Sequence, residues 1–202
     1  ASAVAIGNSA KATQSGAVAI GTAADASAGA AMAMGQSAKA SGGLAIAIGA
    51  SASASGFLAT AIGNVANATG MNAVAMGTNA KALADNASAV GNGAQALDVN
   101  ASAMGNNAKA QGTNSTAMGN SANAQALQST AVGAAAQALA SNSTAVGAAA
   151  LATQAGANAF GDNSKALGAN STALGTQSLA NQSDASAISR AMPSKMSYSR
   201  SE

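Results

Sequence analysis

The side chains that usually carry chemistry are scarce in this chain. Its 202 residues include no histidine and no cysteine, and eight basic against six acidic residues give a net charge of +2. Without histidine, a serine or threonine nucleophile lacks its usual base, and without cysteine there is no disulfide or thiolate metal site. The acidic residues are scattered, with no pair at matching positions. We therefore expect no catalytic residues, no metal site and no cofactor, and we interpret the protein as not an enzyme.

Five of the basic residues nevertheless share a regular position. Each lies four residues after one of a series of glycines that recur every fourteen residues. If the fourteen-residue units stack, these lysines line one outer face, either to bind acidic groups of a proteoglycan or matrix protein or only to discourage aggregation of an exposed sheet. The charge is too weak and dispersed to predict nucleic-acid binding. The five are Lys11, Lys39, Lys81, Lys109 and Lys165.

Asparagines form a second column at a different position of the repeat. Asparagine tolerates the backbone conformations of tight corners and can form side-chain ladders between stacked units. It can also hydrogen-bond an extended ligand. We interpret the column chiefly as structural and keep ligand binding as the alternative. Its members are Asn72, Asn86, Asn100, Asn114, Asn142 and Asn170.

The glycines define the repeat that must position these side chains. Two residues before each glycine stands Ala, and directly before it stands an aliphatic residue or Phe, which we call φ. Three residues after it comes Ala or Ser, and five residues after it comes Ala. No insertion interrupts this register. The thirteen glycines are Gly7, Gly21, Gly35, Gly49, Gly63, Gly77, Gly91, Gly105, Gly119, Gly133, Gly147, Gly161 and Gly175.

The spacing of the alanines predicts strands, although alanine itself favours helices. Successive alanines are separated by two, five, two and five residues, whereas a coiled coil needs apolar residues three and four apart. Steps of two place side chains on one face of a strand, and a regular glycine costs a helix about 1 kcal/mol each time. We predict two short strands per unit, a turn at each glycine, and turn-forming pairs such as Ser15-Gly16 and Asp85-Asn86 at the second corner. Stacked at ~4.8 Å, thirteen coils give a rod of roughly 60 Å.

The first strand of each unit is expected to be buried on both faces. We expect the φ column to fill the lumen of the coil, with methionines such as Met34, Met76, Met104 and Met118 as packing residues. The alanine column of the first strand would then face neighbouring chains, although the pattern also allows the opposite assignment. A coil of two strands is too thin to shield both faces, so we expect self-association, and three chains around an axis would close the structure.

Several segments resemble the head repeat of YadA-type trimeric autotransporter adhesins, whose motif is approximately Asn-Ser-Val-Ala-Ile-Gly. The resemblance covers residues 1 to about 189, and its clearest copies are Asn72-Ala73-Val74-Ala75-Met76-Gly77, Asn114-Ser115-Thr116-Ala117-Met118-Gly119, Asn142-Ser143-Thr144-Ala145-Val146-Gly147 and Asn170-Ser171-Thr172-Ala173-Leu174-Gly175.

The resemblance implies an all-β, left-handed parallel β-roll that assembles as a homotrimer. It implies display on a Gram-negative outer membrane, through an anchor that this chain does not contain. It also implies attachment to host extracellular matrix, such as collagen, fibronectin or laminin, or to host cells, with autoagglutination in some members. The third motif position departs from Val in many copies, for example Ser88, Thr144 and Asn158, so ligand preference is expected to differ from that of collagen binders.

The repeat predicts the domain limits and leaves two alternative functions. Residues 1–189 are expected to form the head, with thirteen full repeats and a partial one in which Ser189 replaces Gly, and residues 190–202 a tail without repeats. One alternative is a structural spacer or agglutinating surface protein without a specific ligand. The other is an ice-binding solenoid, disfavoured because its threonines are few and expected to be buried. They are Thr60, Thr116, Thr130, Thr144 and Thr172.

Overall fold

A computed structural model of the protein describes residues 2–189, which form a solenoid of short parallel β-strands. Each fourteen-residue repeat contributes one strand of three residues and one of two residues, joined by two corners. The strands alternate between two sheets, so that odd-numbered strands form one sheet and even-numbered strands the other. The parallel solenoid predicted from the glycine period is therefore confirmed. The tail predicted at 190–202 lies outside the described residues.

Sheet A contains the fourteen three-residue strands. They are β1 (Val4–Ile6), β3 (Val18–Ile20), β5 (Met32–Met34), β7 (Ile46–Ile48), β9 (Thr60–Ile62), β11 (Val74–Met76), β13 (Ser88–Val90), β15 (Ser102–Met104), β17 (Thr116–Met118), β19 (Thr130–Val132), β21 (Thr144–Val146), β23 (Asn158–Phe160), β25 (Thr172–Leu174) and β27 (Ser186–Ile188).

Sheet B contains the thirteen two-residue strands. They are β2 (Lys11–Ala12), β4 (Asp25–Ala26), β6 (Lys39–Ala40), β8 (Ser53–Ala54), β10 (Asn67–Ala68), β12 (Lys81–Ala82), β14 (Gln95–Ala96), β16 (Lys109–Ala110), β18 (Asn123–Ala124), β20 (Gln137–Ala138), β22 (Leu151–Ala152), β24 (Lys165–Ala166) and β26 (Leu179–Ala180).

Backbone hydrogen bonds join each coil to the next in a fixed register. Residue i of one coil pairs with residue i + 14 of the next, as in Val4 with Val18. The bonds continue around the corners, where Gly21 N–H donates to the Ile6 carbonyl at 2.8 Å and Ala23 N–H to the Asn8 carbonyl at 2.8 Å. Because the ladder includes strands and corners alike, one coil is a template for the next.

The lumen between the two sheets is filled almost entirely by methyl groups. Among residues 2–189 every buried hydrophobic residue is Ala, and most of these alanines have no exposed surface at all. Each inner coil contributes two small residues from sheet A and two from sheet B, as in Ala17, Ala19, Ala24 and Ala26. Burial is incomplete in the terminal coils, where residues such as Ala10 and Ala187 are partly exposed.

The expected placement of the φ column in the lumen is wrong. The φ side chains lie on the outer face of sheet A, where they are half-buried or exposed, and the alanines of the same strands point inward. The coil is so tight that its lumen accepts methyl groups and excludes Ile, Met and Leu. We call the outward φ column the apolar stripe: Ile6, Ile20, Met34, Ile48, Ile62, Met76, Val90, Met104, Met118, Val132, Val146, Phe160, Leu174 and Ile188.

The expectation that the threonines are buried, which disfavoured an ice-binding function, is also wrong. Thr60, Thr116 and the other three are half-buried on the same outer face of sheet A, two residues before the apolar stripe. Strands β17, β19 and β21 bring Thr116, Thr130 and Thr144 into direct register. Val74 and Asn158 interrupt the column elsewhere, and the aliphatic stripe runs beside it.

The thirteen periodic glycines all adopt positive φ, between 105° and 133°. A Cβ added at Gly105 would lie 2.5 Å from the carbonyl oxygen of Gly119 in the next coil, closer than any side chain can approach backbone. These glycines are required both by their conformation and by the close stacking of the first corner.

A second set of left-handed residues was not anticipated from the sequence. Every seventh residue from Ser9 to Asp184 has a φ between 52° and 70°, at both corners of each coil. Three of these positions are Gly, but Leu44, Leu58 and Val65 also adopt this conformation, which is unfavourable for bulky side chains. The ladder between coils therefore imposes the corner geometry on residues that would not choose it.

Substitution of a periodic glycine is expected to destabilise the rod strongly. Gly105→Ala combines backbone strain with a clash against the Gly119 carbonyl, so we expect a loss of about 3 kcal/mol in the free energy of unfolding. The matched control is Gly29→Ala, because Gly29 is exposed and a Cβ there meets no atom within 4 Å. Urea unfolding at one protein concentration measures both, and equal stability of the two variants would contradict the steric role of Gly105.

Candidate functional site

The outer face of sheet B carries the lysines. Each of the five occupies the first position of its two-residue strand and is exposed, while the following Ala points into the lumen. Adjacent coils do not carry lysines in succession. Asp25 stands in register between Lys11 and Lys39, and Gln95 stands between Lys81 and Lys109.

The distance between lysines limits how far they act together. The nearest lysines are two coils apart along the axis, a distance of ~10 Å at the usual spacing of strands. The Debye length is also ~10 Å at 0.1 M salt. The structure therefore brings the five lysines onto one face without merging them into a single strongly positive cluster.

The asparagine column lies on the second corner, not on sheet B. All six side chains are exposed, and their backbones adopt φ between 53° and 58°. Asn72 Nδ2 donates to Asn86 Oδ1 at 3.2 Å, and Asn100 Nδ2 to Asn114 Oδ1 at 2.9 Å. These are the left-handed corners and side-chain ladders that the structural interpretation of the column requires. Lysines and asparagines thus occupy different faces of the coil.

Asp98 fastens the second corner beside Asn100, the third member of this asparagine column. Its carboxylate accepts hydrogen bonds from the backbone N–H of Val99 at 2.7 Å and from the Thr113 hydroxyl of the next coil at 2.8 Å. These two bonds, the Val99 amide first, lower the pKa of Asp98 below its ordinary value of 3.8. The ionised carboxylate is thereby favoured in the folded state.

The serines inside the solenoid are structural. Ser129, Ser143 and Ser171 are fully buried, and each hydroxyl donates to the carbonyl oxygen three residues earlier at 2.6 to 2.7 Å. Within residues 2–189 no group of three or more acidic, histidine or cysteine side chains converges as metal ligands do. Nor does any helix among these residues have the length and apolar character to cross a membrane.

Three surface features were not recognised from the sequence. The first is the apolar stripe on sheet A, because its side chains were expected inside. The second is an exposed apolar cluster on the second corner, formed by Leu44, Phe57, Leu58 and Met71. The third is a polar groove on sheet B around Lys109. The sequence did contain a signal for part of the second, since Leu44 and Leu58 stand at the position where most later coils carry Asn.

A comparison with protein families gives matches along almost the whole chain to the family described as YadA head domain repeat. The chain belongs to the YadA head domain repeat family. Comparison with curated proteins gave no significant match. The matched segments are residues 1–24, 26–52, 54–80, 68–94, 82–108, 96–122, 110–136, 124–150, 152–178 and 166–188.

Membership explains the repeat and sets the general function. The YadA head family suggests an adhesin-like function of the trimeric autotransporter type, exposed at a bacterial surface. In this YadA head each full-length matched segment holds two copies of the family repeat and spans about two fourteen-residue coils, so one copy corresponds to one coil of the solenoid. Its outer columns, rather than its lumen, offer the side chains that a partner would contact.

The hydrogen bonds of Asp98 predict a specific pH dependence. A carboxyl group whose pKa is lower in the folded state than in the unfolded state stabilises the fold at any pH above the unfolded-state pKa. This stabilisation is lost as the pH falls through the folded-state pKa. We expect the wild type to lose more stability than Asp98→Asn between about pH 5 and about pH 2. Urea midpoints across this range measure it. Thr113→Val removes one hydrogen-bond donor to the carboxylate, so its loss of stability over this pH range should lie between those of the wild type and Asp98→Asn. Identical profiles for all three proteins would contradict the role of these hydrogen bonds.

Proposed function

We propose that the protein is the head of a Gram-negative trimeric autotransporter adhesin. Three left-handed rolls associate through the outer faces of their A sheets and present their B sheets to the host. The observation that carries the proposal is the apolar stripe, which runs through all fourteen strands of sheet A. Monomeric soluble proteins rarely expose a continuous apolar surface along their whole length, and such surfaces mark interaction sites.

The burial of individual side chains supports this use of the stripe. In the single chain Met104 is 39% exposed and Leu174 is 47% exposed. Association through this face would remove these side chains from water, at ~25 cal/mol per Å² of apolar surface. The lumen cannot supply the same stabilisation, because its alanines bury little apolar surface each. The family of the chain makes the trimer the expected assembly.

The partners proposed for the outward face are host extracellular matrix proteins or the host cell surface. Collagen, fibronectin and laminin are the proposed matrix ligands, and autoagglutination between heads is a further proposed activity. The support is the adhesin-like family together with the exposed polar columns of sheet B and the second corner. The head itself is proposed to act without enzymatic activity.

A charge introduced into the stripe is expected to dissociate the trimer. Met104→Lys would bury three unpaired ammonium groups against one another, and each buried charge costs several kcal/mol. We expect sedimentation equilibrium to show a trimer for the wild type and a monomer for this variant at the same concentration. Leu179→Lys is the matched control, because Leu179 is an aliphatic residue 52% exposed on sheet B. A monomeric wild type, or dissociation by both variants, would contradict the interface.

A solid-phase binding panel tests the ligand side of the proposal. The trimeric head is expected to bind at least one of collagen, fibronectin and laminin, and replacing all five lysines by Ala should weaken that binding if sheet B is the contact face. Replacing Asn72, Asn114, Asn142 and Asn170 by Gly is the companion variant. Gly16 and Gly156 already occupy equivalent left-handed positions, so the change removes side chains without straining the corner.

The same panel separates the alternatives. A trimer that agglutinates but binds no matrix protein would support a spacer or agglutinating function and overturn specific matrix binding. Because the threonines proved to be half-buried on an outer face, thermal hysteresis of the head should be measured directly. We expect none, since aliphatic side chains run beside an interrupted threonine column.

A further inference from the structure

The polar groove on sheet B spans three consecutive coils and has a volume of about 350 Å³. One wall is formed by residues at the end of the first corner, and the other by the outward residues of β16, β18 and β20. The residues lining the groove are Asn107, Ser121 and Ala135 on the corner side and Lys109, Asn123 and Gln137 on the sheet.

The groove lies between short corner residues and longer residues of sheet B. Ser121 and Ala135 are short, whereas the adjacent column holds Lys109, Asn123 and Gln137 in register. The equivalent corner position is Val65 four coils earlier, where a branched side chain occupies the space. Within sheet B, Lys109 lies between Gln95 and Asn123, whereas Lys11 and Lys39 lie on either side of Asp25, so Lys109 has no acidic neighbour in register.

Two lining residues, Asn107 and Gln137, present exposed amide groups in the groove. Lys109 supplies an exposed ammonium at the same site, and none of the six lining residues is acidic. A ligand that suits the groove must therefore bring a negative group for Lys109 and hydroxyl groups for the exposed amides.

We propose that this groove binds an anionic saccharide, with its carboxylate or sulfate at Lys109 and its ring hydroxyls along the exposed amides of the lining. The amides of Asn107 and Gln137 provide further donors and acceptors for hydroxyl groups. The polar side chains repeat with the coils at ~4.8 Å, which is comparable to the length of one pyranose unit. Successive sugars along the rod can thus meet equivalent positions of successive coils.

An extended acidic peptide fits this periodicity less well. A strand rises ~3.3 Å per residue, so its side chains fall out of step with the coils within a few residues. The inference rests on the proposed function in one respect, because it needs the outer face of sheet B to remain accessible in the assembled head. It assigns that face a carbohydrate ligand in addition to matrix proteins.

Fluorescence anisotropy of labelled oligosaccharides tests the inference on the trimeric head. A hyaluronan octasaccharide offers carboxylates alone, and a heparin octasaccharide offers sulfates as well, so comparison of the two identifies the anionic group preferred. A neutral maltooctaose and a polyglutamate peptide complete the set. We expect binding of one or both anionic saccharides and of neither other probe.

Three substitutions locate the binding. Lys109→Ala removes the charge, and Ser121→Val fills the groove with the side chain that the first corner accommodates at Val65. Each should weaken binding about tenfold, the loss expected for a hydrogen bond to a charged group or a blocked site. Lys39→Ala makes the same charge change in the same column outside the groove, and it should weaken binding less than about twofold.

The outcomes separate this inference from the proposed function. Sedimentation of every variant establishes that the trimer is intact, and the matrix panel is measured independently. A trimeric head that binds matrix protein but neither anionic saccharide would overturn the groove alone. Equal losses for Lys109→Ala and Lys39→Ala would also overturn it, because they would indicate diffuse attraction to the whole face. Binding of polyglutamate with the same dependence on Ser121→Val would overturn the choice of a saccharide.

Discussion

The narrow lumen is the constraint on which the rest of the structure depends. Two sheets of two- and three-residue strands face one another so closely that only methyl groups and small hydroxyls fit between them, as at Ala17, Ala26 and Ser143. Alanine burial contributes little hydrophobic free energy per residue. The fold must therefore be stabilised largely by the continuous ladder of backbone hydrogen bonds between coils, which extends through both corners.

The same constraint inverts the usual distribution of side chains by size. Large apolar residues, which ordinarily form the core, are excluded from the lumen and lie outside on sheet A. An isolated coil therefore cannot cover its own most hydrophobic residues, and the fold is expected to be completed by association. The inward columns, by contrast, have almost no freedom to vary, since any larger side chain would separate the sheets and break the ladder.

The sequence predicted the architecture because the fourteen-residue period, the recurring glycines and the alanines two residues apart each have one simple structural interpretation. It did not predict which face of the sheet A strands points into the lumen. The pattern of Ala alternating with φ fits either orientation, and the larger side chains are normally the buried ones. The left-handed conformation of Leu44 and Val65 was missed because stacking overrides their local preference. The groove was missed because it depends on side chains fourteen residues apart, such as Lys109, Asn123 and Gln137, being read together with the short residues beside them.

A scaffold of this kind separates the residues that build it from those that recognise a partner. The periodic glycines and the small inward residues, Ala or Ser, recur from coil to coil, whereas the outward positions of sheet B and the second corner change. A single coil places only an isolated side chain at each of those positions, because residues adjacent in sequence point to different faces of the solenoid. A recognition site must instead be assembled from the same position in successive coils, so its polar groups repeat along the axis at the spacing of the strands. Ligands that are themselves linear and periodic are the ones that such a surface can contact over more than one coil.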